Sequence, residues 1–435
     1  MTSISQTSEV KASPAEGNYG RPLAVVTTLF FMWGFLTCLN DILVPHLKSI
    51  FELDYAQVML IQFSFFSAYF IFSVPSAKLI DWIGYQRTMV VGLLTMAVGA
   101  LLFVPAASIP LYPLFLTALI ILAAGITALQ VSANPYVIAL GPPATASSRL
   151  NLTQAFNSLG TTIAPKIGGL LILSSAPLLT SEMKLLSPTA LQAYRVQQAS
   201  SVKMPYIVIG VLLVLLAIVI GLSKLPAIES LRHVPGEKIH DSIWRHPNLV
   251  MGALGIFAYV GAEVSIGSFL VNYFSQPGIG GMTEKVAAGY VSFYWGGAMV
   301  GRFIGSALLR TIKTNHALAV CTVCTMALVT ISMLTFGHVA MISILAVGFF
   351  NSIMFPSIFT LGLVELGPLA GDGSGLLNMA IVGGAVVPLL QGVVADHIGI
   401  HHAFFLPVIC YAYILFYALS GSRPNSRRTM QLTCN

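Results

Sequence analysis

The feature that most constrains this chain is a succession of apolar runs, each roughly 20 to 28 residues long. Wound as an α-helix rising 1.5 Å per residue, such a run crosses a hydrocarbon core about 30 Å thick. Twelve recur along the 435 residues, approximately at 23–46, 57–80, 87–107, 111–139, 153–175, 205–225, 247–275, 285–310, 316–336, 338–365, 373–396 and 402–420. In lipid every backbone N–H and C=O must be bonded within its own segment, which makes these runs helices. Only 8% of the chain is charged and 56% is hydrophobic, against roughly 25% charged in soluble domains, too few charges to cover a water-facing surface. The fold class that follows is an all-α membrane protein of twelve transmembrane helices.

One hydrophilic stretch parts the runs six and six, which predicts two pseudo-symmetric six-helix halves. The organisation read from the sequence is a polar tail over 1–20, a first half over 21–225, a linker over 226–246, a second half over 247–420 and a tail over 421–435. A local echo supports duplication: Asp81-Trp-Ile-Gly84 closes the second run and Asp396-His-Ile-Gly399 closes the eleventh. Basic residues near span ends set orientation. With both termini and the linker in the cytoplasm, 15 of the 21 Lys and Arg lie on that side, all but Lys48, Lys166, Lys184, Arg195, Lys203 and Lys285. The net charge of +6 therefore reads as topology and not as a nucleic-acid surface.

The five cysteines form no clustered framework, and Cys321 with Cys324 sits in an apolar run without histidine partners, so they read as packed thiols. No phosphate-cradling Gly-x-x-x-x-Gly-Lys-Ser/Thr motif and no His-Glu-x-x-His occurs, which gives ATP and hydrolytic zinc no place to bind. Neither an enzyme nor a cofactor is expected. The hydrophilic segments are also too short for a soluble output domain.

A charge at bilayer depth costs at least about 2.5 kcal/mol, so an intramembrane ionisable residue is functional by default. Asp41 in the first run and Glu263 in the seventh stand out; short acidic side chains reach the interface poorly, which favours protonation sites over structural carboxyls. A carboxyl in a closed low-dielectric cavity is pushed toward its neutral form and can load and release protons. Arg302 is read either as snorkelling to the interface or as a gating residue, and Asp81 and Arg87 are assigned to gating or structure. Lys166 has three readings: a cavity residue, a carboxylate partner, or the cargo contact of an organic-anion or drug carrier.

Neutral amides recur at the same depth. Gln130, Asn134, Gln154, Asn157, Asn351 and Asn378, with Tyr259, are the candidate substrate-binding residues. Amides pair with vicinal hydroxyls and aromatic faces cover the C–H side of a sugar ring, an inventory that suits an uncharged polyol. Gln154 and Asn157 are three apart and share a helix face.

Leu39-Asn40-Asp41-Ile-Leu, Ala133-Asn134-Pro135-Tyr136-Val, Arg149-Leu-Asn151-Leu-Thr-Gln154-Ala-Phe156-Asn157-Ser, Val300-Gly301-Arg302-Phe303 and Met354-Phe-Pro356-Ser-Ile-Phe359 resemble the fucose permease and glucose/galactose transporter family of the major facilitator superfamily. The resemblance covers nearly all twelve runs. It implies the major facilitator fold, sugar:proton symport by alternating access, a proton-coupling role for Asp41, a cavity lined by Gln154 and Asn157, and a bacterial inner membrane. Gln130 stands where fucose permeases carry a glutamate, and Glu263 where they carry a neutral amide, which is more similar to the glucose/galactose and N-acetylglucosamine branches. Glu263 is accordingly expected to take over sugar binding or ion coupling. The expected partners are a hexose, a coupling ion (H⁺, with Na⁺ as the alternative) and the bilayer, around a monomer; the cargo is left open among glucose, galactose, N-acetylglucosamine, fucose and sucrose.

Overall fold

The structure, a computed structural model, describes residues 19–51, 55–108, 111–172, 186–187, 189–190, 193–194, 203–228, 231 and 241–423. Side chains are described for the same residues except 39–51, 55–60, 62, 165–166 and 168–172. Most of the two tails and of the linker expected from the sequence lies outside these limits.

Among the described residues every regular element is helical. The first half contains α1 (Gly20–Phe51), α2 (Tyr55–Ile83), α3 (Tyr85–Ser108), α4 (Tyr112–Ala139), α5 (Ala146–Ile172) and α6 (Lys203–Leu222). The second contains α7 (Pro247–Ser275), α8 (Glu284–Leu308) and α9 (Thr314–Leu334), then α10 (Gly337–Gly362), α11 (Gly367–Ile398) and α12 (Ile400–Gly421). Among the described residues, ten of the twelve are long and apolar enough to cross a membrane, and α5 and α8 are not among them. Those two carry Arg149, Asn151, Gln154, Asn157 and Arg302 and pack against each other at the junction of the halves, which shields their polar faces from lipid.

The packing repeats with an offset of six. In the first half α1 lies on α5, α2 on α4, α3 on α4 and α3 on α6; in the second α7 lies on α11, α8 on α10, α9 on α10 and α9 on α12. The same operation exchanges the two junctions between halves, α2 against α11 and α8 against α5. Small residues permit close approach, as usual where lipid offers no hydrophobic drive. A methyl group on Gly92 of α3 would stand 3.0 Å from the Gly125 carbonyl oxygen of α4.

Gly84 and Gly399, the ends of the echoed motifs, both take positive φ, 81° and 83°, a backbone that glycine adopts without steric cost. The two lie at opposite ends of the bundle, so the echo is not the offset-of-six relation. It instead pairs the second helices of inverted three-helix units.

Chain entry to α1 and exit from α12 define one end of the bundle, here the terminal end. Among the described residues, contacts between the halves concentrate there. Lys78 Nζ at the end of α2 lies 3.0 Å from Asp372 Oδ1 at the start of α11. Ser147 and Thr314 hydroxyls are 2.8 Å apart, Ser148 donates to the Ser306 carbonyl at 2.5 Å, and Asn151 Nδ2 donates to the Arg302 carbonyl at 2.7 Å.

Candidate functional site

Two proline-containing helices, α4 continuous and α10 interrupted, prepare the site. Pro135 in α4 has no N–H to offer the carbonyl four residues back, Val131, and Ser374 of α11 donates to that oxygen at 2.8 Å. Pro356 in α10 likewise frees Ser352, where the helix is interrupted between Asn351 and Met354. Arg302 Nε takes that carbonyl at 3.4 Å. The freed carbonyls sit on helices related by the six-helix offset.

Glu263 is the centre of a polar cluster drawn from four helices of the second half. Its Oε1 accepts the Tyr259 hydroxyl at 2.7 Å, one helical turn away on α7. Tyr259 is also 3.1 Å from the Asn351 carbonyl of α10. Asn351 Nδ2 donates to the Tyr294 hydroxyl of α8 at 3.0 Å, and Tyr294 in turn reaches the Glu263 carbonyl at 3.3 Å. Tyr411 of α12 lies beside Asn351. All of these are fully buried or nearly so.

Arg302 carries the cluster across to the first half. Nη2 is 3.9 Å from Glu263 Oε1, with side-chain exposures of 12% and 11%. Nη1 donates to the Gln154 carbonyl at 3.4 Å and, in a very short contact, to the Ser158 hydroxyl, both on α5. The snorkelling reading of Arg302 is thereby corrected: its acceptors lie inside the junction, and a guanidinium with carbonyl, hydroxyl and carboxylate partners has no need of the interface. Gly301 lets α8 approach α10 closely at this point, since a methyl there would stand 2.5 Å from the Phe349 carbonyl oxygen and from Ser352 Oγ of α10.

The structure thus brings Tyr259, Glu263, Asn351 and Arg302 together, with Gln154 joined to them through its main-chain carbonyl. Other predicted residues stand apart from that cluster. Gln130 donates to the Tyr69 hydroxyl at 2.8 Å. Asn157 donates to the Phe30 carbonyl at 3.0 Å, tying α5 to α1. Asn378 spends its amide N–H groups within its own helix, on the Ser374 carbonyl at 2.9 Å and hydroxyl at 3.3 Å. Asp81 pairs with Lys78 at 3.5 Å and Arg87 is exposed at the start of α3, both at the terminal end. The side chains of Asp41 and Lys166 lie outside the described residues.

Among the described residues, both polar atoms of Asn134, Gln154 Nε2 and Asn378 Oδ1 are buried without a partner. Each such group costs about 1–3 kcal/mol, an expense that hydroxyl groups of a bound polyol would remove. Tyr69, Ser158, Ser352 and Asp372 had no signal in the sequence, being ordinary residues whose partners lie on other helices. An apolar groove of about 690 Å³ between α1, α5 and α6, bordered by Leu23, Thr27, Phe156 and Leu215 among others, includes none of the predicted residues and lies apart from this site.

Twelve helices in two repeats, joined at one end and holding a buried carboxyl cluster on the junction, define a membrane carrier of the alternating-access class. The profile described as Major Facilitator Superfamily matches residues 25–381. The chain belongs to that superfamily, in its fucose permease and glucose/galactose transporter family. It is 53% identical over 409 residues to a glucose/galactose transporter of Brucella abortus, a match covering 94% of this chain and 96% of the relative. It is 37% identical over 428 residues to the L-fucose-proton symporter of Escherichia coli, covering 96% and 97%. A crystal structure of the transporter FucP in the outward conformation superposes with a TM-score of 0.85 at 36% identity, covering 93% of this chain and 99% of that one.

Proposed function

We propose that this protein imports a hexose of the glucose/galactose type together with protons, by alternating access between two halves spanning 21–225 and 247–420 and linked in the cytoplasm by 226–246. The observation that carries the reading is the buried Glu263 cluster, reaching Gln154 in the opposite half through Arg302. A carboxyl that accepts one tyrosine hydroxyl and faces a guanidinium can exchange a proton and meet sugar hydroxyls in the same place. The relative named a glucose/galactose transporter supports the cargo, and the fucose-proton symporter supports the ion. Asp41, on α1, is proposed as a second proton-coupling residue.

The terminal end is proposed to be cytoplasmic, in a bacterial inner membrane, with the protein acting as a monomer. Closure at that end, with the likeness to an outward-facing relative, supports an outward-facing arrangement. The test is uptake of labelled glucose, galactose, fucose, N-acetylglucosamine and sucrose into proteoliposomes. Accumulation of glucose or galactose that collapses with a protonophore and ignores sodium is the expected result. Accumulation that needs sodium would reassign the ion, and uptake of none of these sugars by folded protein would reject the cargo.

A further inference from the structure

We propose that Arg302 is a positioning residue that ties the charge of Glu263 to closure of the α5–α8 junction. The inference rests on the proposed coupling role of Glu263 and adds the route by which it reaches the moving halves. Arg302 divides its N–H groups among three helices. One side faces Glu263 of α7 at 3.9 Å, the other holds Gln154 and Ser158 of α5, and Nε rests on the carbonyl that Pro356 frees at Ser352.

The 3.9 Å separation is about 1 Å longer than a charge-assisted hydrogen bond. The guanidinium is therefore committed to the opposite half, with the carboxyl within reach of a small side-chain shift. An ionised Glu263 draws Arg302 into its own half and off α5. A neutral Glu263, protonated and still bonded to Tyr259, leaves Arg302 on α5 and the junction shut. Among the described residues, the other ionisable groups around Glu263 are the phenols of Tyr259, Tyr294 and Tyr411, all uncharged near neutral pH, so of these groups Arg302 is the charged one that responds.

The consequence is a lock against slippage. A proton-loaded carrier without sugar holds its terminal end closed, while the deprotonated empty carrier is free to return. Sugar hydroxyls on the guanidinium or on the Ser158 hydroxyl would compete with the cross-half bonds and release the loaded carrier.

The test uses the full chain in liposomes, in a cysteine-free background with spin labels at Ala144→Cys and Thr311→Cys, both exposed near the closed end, one on each half. Interspin distances report opening of the junction. Ser158→Ala is expected to raise the open fraction roughly tenfold, the size of one hydrogen bond to a charged group. Glu263→Gln is expected to lower it when Arg302 is present, to lower it less beside Ser158→Ala, where only the Gln154 carbonyl still holds Arg302 on α5, and to have no effect beside Arg302→Gln. If Glu263→Gln shifts the distances equally with and without Arg302, or does not shift them in the parent protein, the link is overturned. Ser158→Ala removes a single hydroxyl and keeps the comparison available should Arg302→Gln not fold. These distances do not depend on the cargo, so failure of the sugar reading would show separately, as absent uptake by the unmodified protein.

Discussion

Glu263 stands out in the sequence because a carboxyl in an apolar run costs free energy that packing alone does not return. Its neighbours are less visible. Tyr259, one turn away, shares its helix face, but Tyr69 and Ser158 are ordinary members of helical runs, and what they touch is decided by other helices. Tyr259→Phe should leave the fold intact and cut gradient-driven sugar uptake about tenfold, by removing one hydrogen bond to a carboxyl; initial rates with thermal melting as a fold control check this. Glu263→Gln and Asp41→Asn should each abolish accumulation while sparing exchange of labelled for unlabelled sugar. Unchanged accumulation in either variant would remove that residue from coupling.

At the level of elements, helix positions are legible from hydropathy and helix breaks are not. α10 reads as one run over 338–365, yet it is interrupted after Asn351. Pro356 is visible in the sequence as part of a family motif, but the carbonyl it frees finds its partner, Arg302, on another helix. Pro356→Ala supplies the missing N–H, which would compete with Arg302 for Ser352 and should slow transport by severalfold while raising thermal stability, the gain coming from a continuous helix. The Lys78–Asp372 pair is half exposed and worth about 0–1 kcal/mol. Reversing either charge alone should weaken closure at the terminal end, and Lys78→Asp with Asp372→Lys should restore it, as read by cysteine accessibility at that end. At the α3–α4 contact, Gly125→Leu would drive a side chain into Met96 and the Gly92 carbonyl, both within 3 Å of where its Cβ would stand. A loss of at least about 1–3 kcal/mol is expected, seen as a lower melting temperature in detergent.

For the molecule as a whole, twelve spans and a division at the hydrophilic stretch follow from composition alone, because hydrocarbon admits few alternatives to the helix. Which end is closed does not, since it depends on pairs such as Ser148 with Ser306 and Asn151 with the Arg302 carbonyl, each drawn from different halves and without local pattern. Trp82 and Trp244, 80% and 67% exposed, flank α2 and α7 at the terminal end and suit the aromatic belt of a membrane interface. The packing pattern that repeats with an offset of six is what a carrier needs in order to rock one half on the other around a site held on the junction.

Sugar and proton are proposed to move together through this molecule. The direct measurement is the internal pH of proteoliposomes loaded with a pH-sensitive dye, followed as glucose or galactose is added outside with no imposed gradient. The expected result is internal acidification evoked by the sugar, absent with a sugar that is not taken up, and abolished by Glu263→Gln. Sugar entry with no change in internal pH, in protein that exchanges sugar at an undiminished rate, would contradict it.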